Sequence, residues 1–151
     1  MRRIAILTWA AWGVAFAQSG AQAGPDLAAV KSEPNLEKRS ERALEHANLA
    51  LDAARDAYGR GEIEQSKAEL EEVGASVDLA YESLQQTGKD PRRNGKFKQA
   101  ELRTRELLRR LQGFGQTMSF ADRDVLDKVR DRVSMVHDDL LDGIMSKRKN
   151  P

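Results

Sequence analysis

Between Leu36 and Leu84 the chain sets small and apolar residues at alternating steps of four and three, twice, on either side of Tyr58-Gly59-Arg60-Gly61. The first line runs Leu36, Ser40, Ala43, Ala47, Ala50, Ala54 and Ala57, widened by Leu44, Leu51 and Tyr58. The second runs Ile63, Ser66, Leu70, Val73, Val77, Ala80 and Leu84. Such spacing is one face of a helix, so two helices about 35–58 and 62–86 are expected to fold back on each other at the glycine-rich turn. Neither apolar face can stay in water, so the hairpin needs a further layer.

The remaining chain supplies it. A third helix, about 95–118, is read from Phe97, Ala100, Thr104, Leu107, Leu111, Phe114 and Met118, with Leu108 thickening the line. A fourth, about 120–147, is read from Leu126, Val129, Val133, Val136, Leu140 and Ile144, with Ser119 and Asp122 spaced like a capping box at its start. Thr87 to Gly95 is a loop by its Gly, Pro and Asn content. Four long helices with short connections imply an all-α fold, an antiparallel up-down-up-down four-helix bundle over residues 35–149. Ala54, Tyr58 and Gly61 ahead of a second helix resemble part of a tetratricopeptide repeat, but no period of about 34 residues recurs and the helices are too long for that unit.

The amino-terminal 23 residues belong to a different category. Met1-Arg2-Arg3 leads an apolar run from Ile4 to Ala17, and Ala21-Gln22-Ala23 follows. That order is a secretory signal peptide, cleaved after Ala23 or, as the second choice, after Ala17. The run of about 14 residues is too short for a membrane helix, which needs ~20, so no transmembrane segment is expected in the mature chain. Residues 24–34, bounded by Pro25 and Pro34 and without a period, read as a flexible leader. The chain has no cysteine, which removes disulfide staples, thiolate nucleophiles and thiolate metal sites from an exported protein. The location expected is therefore periplasmic or extracellular.

Charge is nearly balanced overall but sorted along the chain. Residues 61–86 hold seven acids against Lys67 alone, while residues 87–118 hold nine bases against Asp90, Glu101 and Glu106. The plainest expectation is that helices two and three are antiparallel neighbours that neutralise each other, each exposed pair being worth about 0–1 kcal/mol. A sharper one is that Lys89, Arg92, Arg93, Lys96 and Lys98 form an anion-binding end for a phosphate-bearing lipid or polysaccharide of the envelope. Nucleic acid is not expected, because no stacking aromatics interleave these cations. Leaving with the signal peptide, Trp9 and Trp12 reduce the aromatics of the mature core to Tyr58, Tyr81, Phe97, Phe114 and Phe120.

His46 and His137 are expected at similar heights on antiparallel helices, the only arrangement that would suit a haem or metal. Both fall off the apolar line, by about 100° and about 65° respectively, so they read as flank residues. No cofactor is expected. Asp122, Asp124 and Asp127, like Asp138, Asp139 and Asp142, read as solvated helical acids without the tight loop a calcium site uses. No serine is set against either histidine as a nucleophile would be, so no catalytic residue is expected. The resulting expectation is a non-enzymatic bundle acting through protein contacts, as scaffold, adaptor or homo-oligomer, with Leu49, Leu79, Met135, Leu141 and Met145 off the central lines as candidate contacts.

Overall fold

The computed structural model describes residues 26–146, and the signal peptide and cleavage points expected from the sequence lie outside them. The described chain is helical: α1 (Leu27–Lys31), α2 (Leu36–Gly59), α3 (Ile63–Gln86), α4 (Gly95–Thr117), a 3-10 turn (Phe120–Asp122) and α5 (Asp124–Met145). Four long helices form a bundle, and none among the described residues is long and apolar enough to cross a membrane.

The four apolar lines meet in one core. Ala43, Ala47, Ala50, Ala54 and Ala57 of α2 are buried against Leu70, Val73, Val77, Ala80 and Leu84 of α3, and the small α2 residues allow the two helices to pack along their full length. The larger Leu107, Leu111 and Phe114 of α4 and Leu126, Val133 and Leu140 of α5 fill the other half. The Tyr58 and Phe114 rings meet edge to face at 5.8 Å.

Around the bundle the helices follow the order α2, α3, α5, α4. Helix α2 lies against α3 and α4, α5 lies against α4 and α3, and α3 and α4 touch little. Contacts between α2 and α4 rise together in number, from Glu41 with Lys96 to Asp52 with Arg110. The same holds for α3 and α5, from Gly74 beside Val129 to Asp78 with Arg132. Between α2 and α3 the numbers run oppositely, from His46 with Glu72 to Ala54 with Ser66. The expectation that the acid-rich second and base-rich third long helices are neighbours is therefore wrong. The Gly59–Gly61 turn, with Gly61 at φ +78°, is too tight for anything but adjacency, whereas an eight-residue span at up to ~3.3 Å per residue easily crosses a bundle diagonal.

Three other expectations need correction. Residues 24–34 were expected to form a flexible leader, yet α1 packs on α2 and α3 with Leu27 and Val30 buried, and Asp26 caps its first turn. A five-residue helix offers only one step of spacing, too little for a period to register. Ser119 and Asp122 do pair, at 2.6 Å, but they close the 3-10 turn, and α5 starts at Asp124 rather than at 120. Phe120, counted among the core aromatics, is 91% exposed.

Leu111 is fully buried, so Leu111→Ala should lower the unfolding free energy by about 2–5 kcal/mol. Gly113 is exposed inside α4 with nothing within 4 Å of an added Cβ, so Gly113→Ala should raise it by about 0.5–1 kcal/mol. Denaturant titration of both variants checks the assignment of the α4 core line and its outer face.

Candidate functional site

One end of the bundle gathers the expected anion-binding residues around the start of α4. Asn94 caps that helix, its side-chain oxygen accepting the Lys96 N–H at 2.8 Å, and Asp90 organises the turn before it by accepting the Arg92 N–H at 3.0 Å. An open cleft of about 740 Å³ lies here, lined by Lys89, Asp90, Arg93, Asn94, Lys96 and Glu37 among others. Lys89, Arg93 and Lys96 are thus brought together at a helix N-terminus, where positive dipole and free N–H groups add to their charge.

Acids enter the same cleft. Lys89 donates to Glu37 at 2.7 Å, Lys96 pairs with Glu41, and Arg92 pairs with Asp90 at 3.2 Å while reaching the Ser146 carbonyl at 3.3 Å. Arg93 is 3.9 Å from Asp90 and largely exposed. Lys98 lies one turn further on, exposed and outside the cleft lining. The Lys89 ammonium, helped by the Asn94 amide, holds the Glu37 carboxyl below its ordinary value, and Arg92 does the same for Asp90. The cations gathered at the loop are therefore largely answered by the fold itself. Glu37 and Glu41 come from α2, 52 and 55 residues away in sequence from Lys89 and Lys96, so a local charge count could not include them.

The histidines are not brought together. His46, expected on a flank, is buried on the α2–α3 seam with Nε2 3.0 Å from Glu72, while its Nδ1 has no hydrogen-bond partner. His137 sits on the α4–α5 seam, with Nε2 3.1 Å from Glu101 and Nδ1 3.1 Å from Asp138. Each ring is engaged by carboxylate on a different seam, so the two offer no shared axial pair. Among the described residues no group of three or more potential ligands could hold a metal ion. Glu101 was visible in the sequence only as one acid among bases. It is 4% exposed and held by Arg105 as well as His137. The i, i+4 spacing from Glu101 to Arg105 was the available signal.

At the opposite end, the Tyr58 hydroxyl donates to Asp122 at 3.1 Å and accepts the Ser119 N–H at 2.9 Å. Ser119, and then Tyr58, hold the Asp122 carboxyl below its ordinary value. This network ties the end of α2 to the α4–α5 connection and exposes no reactive group of its own.

The faces of the bundle are more distinctive than its ends. Helix α3 carries six acids against Lys67, and α5 six acids against three bases; these two are neighbours. Helix α4 carries six bases against Glu101 and Glu106, and its inner flank is answered by α2 through Lys96–Glu41, Arg103–Glu45 and Arg110–Asp52. The ring order thus adds the acidic charges together on one side. Of the apolar residues expected to mediate contacts, Leu49, Met135 and Met145 are exposed, whereas Leu79 packs partly against the core and Leu141 is half-buried. The chain matches no protein-family model, and no curated protein or solved structure is significantly similar to it.

Because Glu37 is held below 4.5, its ionised contacts stabilise the loop at neutral pH and are lost only as pH falls through that lowered value. In an NMR titration the Asn94 side-chain amide, which donates to Glu37 at 2.8 Å, should shift with a midpoint below 4.5, and Glu37→Gln should abolish the shift.

Proposed function

We propose that the protein is a non-enzymatic, exported bundle that works through contact with other protein surfaces. Its topology on this reading is up-down-up-down, with a diagonal crossing between the second and third long helices. The opposite running of α2 against α3, together with the paired rise of α2 with α4 and of α3 with α5, supports that path. Export rests on the amino-terminal pattern of Arg2, Arg3, the apolar run and Ala21-Gln22-Ala23.

The observation that carries the reading is the charge sorting. Two acid-rich helices lie side by side, with Glu71 and Glu82 of α3 and Asp139 and Asp142 of α5 exposed and in no ion pair among the described residues. Like charges gathered on one face cost stability in an isolated protein and repay it when a complementary surface arrives. Scaffold, adaptor and self-association all use such a face.

A second reading is favoured by the cleft at the start of α4. There Lys89, Arg93 and Lys96 converge beside a helix N-terminus, which suits a phosphate-bearing lipid or an anionic polysaccharide of the envelope.

Crosslinking of tagged mature protein in its own cell envelope separates the two. A protein partner retained after Arg92→Glu, Arg93→Glu and Lys96→Glu together is the expected result. Loss of captured material in that variant alone would move the assignment to the cleft and an anionic surface.

A further inference from the structure

The outer side of α4 complements the acidic face. Lys98, Leu102, Arg105 and Arg109 recur at steps of four, three and four, on the side of α4 away from Leu107 and Leu111. The Arg105 and Arg109 side chains are 53% and 72% exposed even with Glu101 and Glu106 as partners, and Lys98 has no ion pair among the described residues. Leu102, half exposed, sits among these cations. On the α3–α5 side, Met135 is exposed among acids in the same way, with Asp131 and Asp139 one turn to either side. Arg132 and Glu106 also border these surfaces, paired with Asp78 and Arg109, so each surface is one bare apolar side chain among charges mainly of one sign, and the signs are opposite.

We propose that the α3–α5 face of one copy takes the outer α4 stripe of a second copy. This rests on the protein-contact reading above and names the partner. The lengths agree: α3 and α5, of 24 and 22 residues, and α4, of 23, all run about 33–36 Å. The two surfaces are different, so the contact is heterologous, with each copy offering both halves. Its strength comes from exposed charges, which are screened beyond ~10 Å at 0.1 M salt and ~3 Å at 1 M. Association is therefore steeply dependent on salt.

Sedimentation equilibrium of residues 24–151 tests this with paired charge reversals. In low salt the mass of the wild-type protein should rise with concentration to at least twice the monomer, and should return to monomer in about 1 M salt. Lys98→Glu with Arg109→Glu should be monomeric alone, as should Glu71→Lys with Asp139→Lys. Mixed one to one, the two variants regain opposite-signed faces and should associate again. This recovery also rules out misfolding as the cause of either loss. A wild-type monomer at high concentration in low salt, a reversal that leaves association intact, or a mixture that stays monomeric each overturns the proposal. If the wild-type protein is monomeric yet its Glu71 and Asp139 face still captures a different protein, the protein-contact reading survives while self-association falls.

Discussion

Helix α4 has a strongly apolar core line and six cations, and the fold depends on where those cations go. Lys96, Arg103 and Arg110 lean toward α2, where Glu41, Glu45, Asn48 and Asp52 receive their heads while their aliphatic stems cover the seam. Each exposed pair contributes little by itself, but the ladder repeats over four turns and favours one neighbour and one register for α4. With α2 already fixed beside α3 by the Gly61 turn, seating α4 on α2 leaves α5 to close the ring between α3 and α4. Close approaches follow at Gly74, where Arg132 lies 3.4 Å from an added Cβ, and at Gly115, where Leu126 lies at 3.2 Å.

The four core lines were legible because helical spacing over six or more turns leaves few alternatives. Nearly every stripe residue is buried, with Leu36, Ile63 and Ile144 half-buried at the helix ends. The ring order was not legible. Opposite charge on consecutive segments suggested adjacency, but Glu37, Glu41, Glu45 and Asp52 answer the same cations from a helix that sequence distance hides. The burial of His46 escaped for a related reason. Its angular position is on the flank of its own helix, and the broad α2–α3 contact extends far enough to cover that flank.

Hidden neighbours decide the candidate sites as well. The basic loop stood out as a run of five cations, and in the folded chain Glu37, Glu41 and Asp90 answer much of that charge. The acids of α5 read as solvated helical faces and those of α3 as partners for α4, whereas the fold sets the two acid-rich helices side by side. Charge pattern along a sequence predicts partners only once the neighbours are known. Here two histidines, their partners Glu72 and Glu101, and the Tyr58–Asp122–Ser119 network are absorbed into seams and turns, leaving the helix faces as the surfaces available for function.

The ring order is the claim on which the charge sorting stands, and the lack of native cysteine makes it directly measurable. Spin labels on Asp78→Cys and Arg132→Cys, which replace two residues joined by an ion pair across the α3–α5 seam, should report a short distance, well below that between labels on Asp78→Cys and Arg103→Cys. The reverse result, with residue 78 close to 103 and far from 132, would place α3 beside α4 and contradict the account.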